Sequence, residues 1–565
     1  MSPGRIAVIA VAAVAVVVAL VVSAGGGGGG GGGSSSVASV GQTAPAGALV
    51  VDFAYSPEKE PLVAARLRAF NAAGHVQGGR TIFVRGQVVS SGDAERRIAA
   101  GTLKPAIWSP ASSLWGRLLN YEADRKYVAD ENPSIARTPL VIAMWEPLAR
   151  ALGWPRKAIG FKDVLKLAQD PQGLIKLGRP EYGSFRLGHT NPDFSTSGLS
   201  AVAAEYFSAV GKREGLTVAD VNRPKVRRDI QAIERSIVHY GDTTLFFADQ
   251  MLKYGPAYAS AVAMEEATLV DFNTRRRGAT KLVGIYPSEG TFYSDNPLIV
   301  PDAPWMTPEL AAAAQQVVKD LVAEVTPAVA AKAGFRPGNP GAKLLPPLDA
   351  AHGVDPALPG RVLALPQPDV LARIKAAWRE DRKPANVVLA VDVSGSMGEE
   401  NKLEQAKAGL KAFFRQLSPR DRVGLVFFND KVFRGAPVQA FGTGRARLRR
   451  TVADLLPGGE TAWIDATGDA LQEVQNLRDD TRINAVVLLT DGDDTSSSTS
   501  AQALRRRLDA QARSEGSVVR VYTIAYGREA NRDALEAVAK AAGGKAFTGD
   551  PKQIESVYLS ISSFF

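Results

Sequence analysis

The chain has 565 residues, 45% hydrophobic and 22% charged, so it is neither disordered overall nor a single small domain. Its formal net charge is +9, but the basic residues are scattered and form no nucleic-acid module, so we expect no nucleic-acid partner. The absence of cysteine excludes disulfides, thiolate metal sites and cysteine nucleophiles.

The first element in the chain is an apolar segment. Arg5 is followed by the uninterrupted apolar run Ile6–Val22. We interpret residues 1–24 as a transmembrane anchor or a cleaved signal peptide, because the length of the run is compatible with both. Either interpretation places the folded part outside the cytoplasm, on a single-pass membrane protein or a secreted one. Residues 25–47 begin with the glycine run Gly25–Gly33 and predict a flexible linker.

Strand-like and helix-like segments alternate over residues 48–340. Leu49–Ala54 and Pro139–Trp145 predict strands, and Leu62–Phe70 predicts a helix between them. Such alternation predicts an α/β fold with mainly parallel strands. Ligands bind these sheets at the carboxyl ends of the strands.

Four short motifs follow one another in this region: TPLVIAMW, GHTNPDFSTSG, IYPSEGTF with NPLIV, and GFRP. Through them the region resembles the bacterial extracellular solute-binding proteins of the periplasmic type II fold. The resemblance implies two α/β lobes that close on a small-molecule solute, with a hinge near Leu140–Met144 and Asn296–Val300. The cleft residues that it implies are Tyr55, Ser56, Ser109, Asn191, Ser195, Thr196, Ser197 and Tyr286. The serines and threonines are equally well explained as helix caps and turns.

Prolines are dense between residues 341 and 384, where they break helices and stiffen linkers. We therefore predict a proline-rich linker here. It ends in a short helix over Asp369–Arg379.

Residues 385–562 return to alternating strands and helices. Val387–Val391 is wholly apolar, as expected of a central strand buried on both faces, and it runs directly into Asp392. Asp392, Ser394 and Ser396 alternate along one turn, so their side-chain oxygens can all face one common site. A carboxylate with two hydroxyls suits a small hard cation such as Mg²⁺ or Mn²⁺.

Two more oxygen-bearing residues complete a known pattern. Asp491 ends a second buried strand, and Thr461 lies on a glycine-rich loop. The segment thus resembles the von Willebrand factor A family, with its D-x-S-x-S, T and D motifs in order. The resemblance implies a doubly wound, Rossmann-like domain with a metal-ion-dependent adhesion site (MIDAS), at which an acidic residue of a protein partner completes the metal's coordination. The implied metal ligands are Asp392, Ser394, Ser396, Thr461 and Asp491.

Three functions remain open. The first is a membrane-tethered binding protein with a metal-dependent protein-binding domain and a solute-binding region. The second is a sensor in which solute binding alters the metal domain, which requires linked binding equilibria. The third is a Mg²⁺-dependent hydrolase, disfavoured because aspartyl-phosphate phosphatases need an aspartate where Ser394 stands. The chain has no phosphate-binding P-loop motif. We expect no enzymatic activity.

Overall fold

A computed structural model describes residues 43–278, 280–512, 518–551 and 553–565. The predicted N-terminal anchor or signal and the glycine run lie outside these ranges. Within them, no helix has the length and apolar character needed to cross a membrane.

Strands and helices alternate along most of the described chain. The strands are β1 (Leu49–Tyr55), β2 (Val76–Gln77), β3 (Arg80–Val88), β4 (Ile107–Ser109), β5 (Ala136–Trp145), β6 (Leu187–Gly188), β7 (Ala261–Glu265), β8 (Leu282–Ile285), β9 (Tyr293–Ser294), β10 (Arg336–Pro337), β11 (Ala385–Asp392), β12 (Arg422–Phe428), β13 (Val432–Ala440), β14 (Ile483–Thr490), β15 (Val519–Tyr526) and β16 (Ala546–Gly549). The α-helices are α1 (Glu60–Ala73), α2 (Ser91–Ala99), α3 (Leu114–Glu122), α4 (Glu146–Ala151), α5 (Phe161–Gln169), α6 (Gly173–Lys176), α7 (Thr196–Val210), α8 (Val218–Val221), α9 (Pro224–Arg235), α10 (Thr244–Tyr254), α11 (Glu266–Arg275), α12 (Pro308–Glu324), α13 (Pro327–Lys332), α14 (Pro368–Asp381), α15 (Lys402–Gln416), α16 (Phe441–Ala453), α17 (Trp463–Asn476), α18 (Ala501–Ala512), α19 (Arg532–Ala541) and α20 (Ile554–Ser562). Short 3-10 helices occupy Pro57–Lys59, Pro180–Tyr182, Gly255–Ala257, Ala350–His352 and Gly395–Asn401.

The first lobe is built on a four-stranded sheet with the order β2-β3-β1-β4. Strand β1 pairs in parallel with both β3 and β4, as the strand–helix alternation predicts. Its apolar residues Val51 and Phe53 are fully buried. Helix α12 lies far along the chain, yet Val317 and Leu321 on it share this core, so the chain returns to the first lobe.

The second lobe is organised around β5, which pairs antiparallel with β7, β8, β9 and β10, so the prediction of mainly parallel strands is wrong for this strand and its neighbours. The strand is almost wholly buried because partners cover both of its edges. The predicted hinge segment Leu140–Met144 lies within β5 and pairs with β7. In the other predicted hinge segment, Asn296–Val300, Ile299 bridges to Trp108 of the first lobe.

The segment predicted as a proline-rich linker packs along the second lobe. Leu348 and Val354 are buried there against Val270, and the Leu363 amide donates to the Thr291 carbonyl at 2.8 Å. Helix α14 continues this packing because its residues Val370, Ile374 and Trp378 belong to the hydrophobic core that the second lobe and the C-terminal domain share.

The C-terminal domain has a six-stranded sheet with the order β13-β12-β11-β14-β15-β16. All neighbours pair in parallel except β13, an antiparallel edge strand. Leu410 of α15 and Tyr558 of α20 pack on one face, and Leu471 of α17 and Leu508 of α18 on the other. This arrangement confirms the predicted doubly wound α/β fold.

The second lobe meets the C-terminal domain where the strands of that domain begin. The Lys383 ammonium, directly before β11, donates to the Ile237 carbonyl at 2.9 Å. Phe246 and Phe564 pack edge to face at 5.3 Å, and Lys545 pairs with Asp242. The strands end roughly 30 Å away, at about 3.3 Å of rise per residue. The carboxyl end of the sheet therefore points away from the second lobe.

Candidate functional site

Two neighbouring parallel strands, β11 and β14, deliver acidic and hydroxyl side chains to the same end of the sheet. Asp392, at the end of β11, is fully buried. Its Oδ1 accepts the Ser394 backbone N–H at 2.8 Å and its Oδ2 accepts the Thr490 hydroxyl at 2.5 Å. Burial raises the pKa of the Asp392 carboxyl to about 6, although both bonds favour the charged form. The carboxylate is thus held in a fixed orientation.

A chain of short oxygen–oxygen contacts leads away from this carboxylate. Ser394 Oγ lies 3.1 Å from Ser396 Oγ, and Ser396 Oγ donates to Asp491 Oδ1 at 2.7 Å. Ser394 and Asp491 are buried, whereas Ser396 is half-buried. Three of the predicted metal ligands are therefore hydrogen-bonded neighbours at the rim of the sheet.

The glycine-rich loop that carries Thr461 is tied to the same turn. The Gly458 amide donates to the Val393 carbonyl at 2.8 Å, and the Gly395 amide donates to the Gly459 carbonyl at 2.9 Å. Gly459 has a φ of 83°, which favours glycine, and a Cβ there would lie 2.6 Å from Asp430 Oδ1.

Thr461 itself is 6% exposed and lies beside the loop that follows β14. A Cβ on Gly492 would stand 3.9 Å from Thr461 Oγ1. The Thr461 carbonyl accepts the amides of Thr495 and Ser496, at 2.8 and 3.1 Å. The hydroxyl is thereby placed next to the residue that follows Asp491.

The donor set fits a small divalent cation. In an octahedron with Mg–O distances near 2.1 Å, adjacent oxygens are roughly 3 Å apart. The contacts of 3.1 Å between the serine hydroxyls and 2.7 Å from Ser396 to Asp491 are close to that spacing. Among the described residues, no three histidine, aspartate or glutamate side chains group as metal ligands. The five predicted ligands comprise three hydroxyls and two carboxylates.

Lys402 is a member of this site that the sequence analysis missed. Its ammonium contacts Asp491 Oδ2 at 2.7 Å, and the residue is 5% exposed. Glu400 and Asn401 before it take positive φ angles of 47° and 60°, which turn the chain into α15 and aim the lysine at the site. One charge of Asp491 is thereby neutralised. A lysine ten residues after an aspartate gives no sequence signal of this contact.

Three of the eight predicted cleft residues, Ser56, Ser195 and Thr196, line a narrow cavity between the two lobes. Thr196 Oγ1 accepts the Trp115 indole N–H at 2.8 Å, and Ser195 Oγ lies 3.0 Å from Ser197 Oγ. The cavity measures about 20 Å³, which is enough for a water molecule.

Two predicted cleft residues, Tyr55 and Tyr286, belong to hydrophobic cores. The Tyr55 hydroxyl donates to Glu60 at 2.5 Å, and the Tyr286 hydroxyl donates to Glu266. Both side chains are buried and neither lines the cavity.

The last three predicted cleft residues are buried close by. Ser109 is fully buried, and its hydroxyl has no hydrogen-bond partner in the described part of the chain. Asn191 Oδ1 accepts the Asp193 amide at 2.9 Å, and Ser197 Oγ lies 2.8 Å from Thr190 Oγ1. Asn191 and Ser197 thus brace the turn before α7.

Acidic residues that the sequence analysis missed also line the cavity: Glu58, Asp242 and Glu265. Burial, and next the charge of Glu58, raise the pKa of Glu265 to about 7. Lys59 is fully buried beside them, 3.5 Å from Glu58, and donates to Asn296 Oδ1 at 3.0 Å. Glu58, Asp242 and Glu265 come from three separate chain segments, so no local pattern in the sequence marks them.

Comparison with known proteins identifies the C-terminal domain. Residues 386–557 match the family model of the von Willebrand factor type A domain. Over 458 residues the chain is 24% identical to an uncharacterized protein of Mycobacterium tuberculosis, an alignment that covers 78% of this chain and 64% of that protein. The chain spans between 18% and 64% of the length of the curated relatives it matches.

Two solved structures are similar to parts of this chain. Proximal thread matrix protein 1 from the mussel byssus, determined with zinc in its MIDAS motif, is 20% identical and has a TM-score of 0.27, covering 32% of this chain and 47% of that one. A periplasmic thiamin binding protein is 10% identical and has a TM-score of 0.42, covering 60% of this chain and 98% of that one. The family match and the doubly wound sheet together establish that residues 386–557 form a von Willebrand factor type A domain.

Proposed function

We propose that the protein is a tethered extracytoplasmic binding protein whose von Willebrand factor type A domain holds a divalent cation and uses it to bind an acidic residue of a protein partner. Asp392, Ser394, Ser396, Thr461 and Asp491 would hold the cation, in the manner of a MIDAS. The observation that carries the proposal is the line of serine and aspartate oxygens spaced 2.7 to 3.1 Å apart at the end of the sheet.

The surroundings of the site favour a protein partner. The metal end of the sheet faces away from the second lobe, so a large partner can reach it. Leu456 is 79% exposed on the loop that leads to Thr461, and Glu460 beside Thr461 is exposed as well. An exposed leucine on the same loop as a metal ligand offers an apolar contact to a partner that is bound through the metal.

Selection from a displayed random-peptide library would test this partner chemistry. We expect peptides retained in Mg²⁺ and released by EDTA to be enriched in Asp or Glu. A Ser394→Ala/Ser396→Ala variant should not retain them. Retention that is equal in EDTA, or a selected pool without acidic residues, would contradict the proposal.

A tether on the outer side of the membrane is part of the same proposal, motivated by the apolar run Ile6–Val22 after Arg5. Protease added to intact cells should digest the folded part of the full chain, and deletion of residues 1–24 should make it resistant. Resistance of the full chain in intact cells, with digestion after lysis, would place the protein in the cytoplasm.

A sensor is a second candidate function, favoured by one specific contact. Asp242 lines the cavity between the lobes and also pairs with Lys545 of the von Willebrand factor type A domain. A solute that contacts Asp242 would compete with Lys545 and alter the junction. Because Glu58, Asp242 and Glu265 are all acidic, the solute would be a cation.

Linkage between the two sites tests the sensor. Opening of the lobes is required for entry, because the cavity holds about 20 Å³. A panel of small organic cations should contain a compound that shifts the unfolding temperature and also changes Mg²⁺ affinity. Binding of such a cation with unchanged Mg²⁺ affinity would leave a solute-binding protein without coupling.

A further inference from the structure

A second cavity, of about 380 Å³, lies at the junction of the second lobe and the von Willebrand factor type A domain. Of the described residues that line it, one is acidic, Asp480, and five are basic. The basic residues are Arg186, Arg235, Lys383, Arg482 and Arg520. The cavity lies at the starts of the strands, at the opposite end of the sheet from the candidate metal site. An excess of positive charge in one cavity is unfavourable unless an anion balances it.

Arg520 is the most unusual of these residues. It lies in β15, is 6% exposed, and its Nε is buried without a hydrogen-bond partner among the described residues. Its guanidinium carbon is 5.7 Å from the centroid of the Tyr258 ring, which offers a weak cation–π contact and no neutralising charge. A buried guanidinium is costly unless an anion pairs with it.

The neighbouring cations differ in their partners. Lys383 Nζ donates to the Ile237 carbonyl at 2.9 Å and Arg186 Nη2 donates to the Pro256 carbonyl at 3.2 Å, whereas Arg482 pairs with Asp479 at 3.3 Å. Burial, and next the charge of Arg520, lower the pKa of Lys383 to about 8. Lys383 and Arg520 therefore disfavour one another's charge. An anion between them would remove that conflict.

We propose that this cavity binds a small oxyanion of the phosphate class, held by Arg520 and Lys383 on one side and by Arg186 of the second lobe on the other. A phosphate group has several oxygens directed to different sides, so it can accept from cations that converge from two domains, whereas a single carboxylate is planar. The cavity is larger than a phosphate ion, so it admits inorganic phosphate or a small organic phosphate. A bound anion would join the second lobe to the metal-binding domain.

Calorimetric titration of the full-length protein tests the site. The ligands are inorganic phosphate, pyrophosphate, glycerol 3-phosphate and, for comparison, succinate, all at matched ionic strength. EDTA is present throughout, so that no metal at the other end of the domain contributes to anion binding. We expect at least one phosphate compound to bind more tightly than succinate. Whichever compound binds most tightly shows whether the site prefers inorganic or organic phosphate.

Arg520→Gln should weaken binding about tenfold to a hundredfold, the loss expected for charge-assisted hydrogen bonds. It should also raise the unfolding temperature without phosphate, because an unpaired buried charge is removed, and abolish the rise that phosphate causes in the wild type. Arg449→Gln, at an exposed arginine of α16 that does not line the cavity, is the matched control and should bind like the wild type.

Lys383→Met provides a second variant that leaves Arg520 in place, so the proposal stays testable if Arg520→Gln does not fold. It should weaken phosphate binding as well. Absence of phosphate binding by the wild type would overturn the proposal, and so would unchanged affinity in a folded variant. Succinate binding as tight as phosphate would overturn the assignment to the phosphate class.

Discussion

The substitution Asp392→Asn separates metal binding from folding. The asparagine keeps the size of the side chain, its Oδ1 can still accept the Ser394 amide, and its amide N–H can donate to the Thr490 hydroxyl that now donates to Asp392. Removal of a carboxylate whose pKa is raised by burial relieves a cost of the charged form. The variant should therefore fold, and without metal it should unfold at the same temperature as the wild type or higher.

The size of the metal effect follows from mass action. A ligand at a hundred times its Kd stabilises the folded state by about 2.7 kcal/mol. For a domain of this size, each kcal/mol corresponds to about 2–4 °C in Tm. Saturating Mg²⁺ should thus raise the Tm of the wild-type domain by about 5–10 °C, and that of Asp392→Asn by about 0–1 °C.

Differential scanning calorimetry of the full chain, with EDTA or with Mg²⁺, measures both quantities. Ca²⁺-free buffers are needed so that one cation is compared at a time. If Asp392→Asn keeps the full magnesium-induced rise, Asp392 is no ligand and the assigned site is wrong.

Three further predictions follow from buried charges. Lys402→Met should bind Mg²⁺ at least about tenfold more tightly than the wild type in calorimetric titration. Removal of the ammonium that lies 2.7 Å from Asp491 leaves the site with one more unbalanced negative charge. Asp421→Asn should lower the free energy of unfolding by about 3–5 kcal/mol in urea titration, because Arg382 keeps a buried charge that has lost its partner at 2.7 Å. His239 has a pKa well below its ordinary value, because of burial and then the charge of Arg520, so the unfolded state binds the proton more readily. Stability should therefore fall below about pH 6.5, by up to about 1.4 kcal/mol per pH unit, and His239→Asn should reduce this acid sensitivity.

Each prediction has a matched control and a contrary result. Lys411→Met removes an exposed lysine from the same helix as Lys402, and equal Mg²⁺ affinities of the two variants would show that Lys402 does not oppose the metal. Asp469→Asn, at an exposed site, should leave the urea midpoint unchanged, and a similarly small effect at Asp421 would contradict the role of the buried pair. For His239, unfolding temperatures that fall equally in variant and wild type between pH 7.5 and 5.5 would assign the acid sensitivity to other groups.

The strand ends of the C-terminal domain could be predicted because their signal is local. A fully apolar run that ends in Asp392 marks a central parallel strand, and the carboxyl ends of such strands meet at one edge of the sheet. The same logic applies to Asp491 after β14. The antiparallel pairing of β13 carries no such signal because its residues are half-buried and mixed in polarity.

Contacts between distant segments could not be predicted. Arg520 looks like an ordinary residue at the start of a strand, yet the second-lobe residues that line the cavity with it precede it by more than 250 residues in the chain. The prediction of a linker over residues 341–384 rested on proline density, and within this segment Leu348 and Val354 are buried against Val270. Composition reports local stiffness and says nothing of the surface on which a segment packs.

The hydroxyl partners of Tyr55 and Tyr286 lie at different distances along the chain. Each tyrosine follows a strand-like run, and each hydroxyl donates to a glutamate. The partner of Tyr55 is Glu60, five residues later, whereas the partner of Tyr286 is Glu266, 20 residues earlier. The resemblance implies a place for each tyrosine at the end of a strand, and the direction of the side chain depends on these partners.

We propose that the oxygens at the end of the sheet bind a divalent cation. Calorimetric titration of Mg²⁺ and Mn²⁺ into the metal-free protein, with wild type beside Ser394→Ala/Ser396→Ala, measures this binding. We expect one binding site per chain in the wild type and none in the doubly substituted variant, with both proteins folded by circular dichroism. A folded wild type that binds neither cation, or a variant that binds as tightly as the wild type, would contradict it.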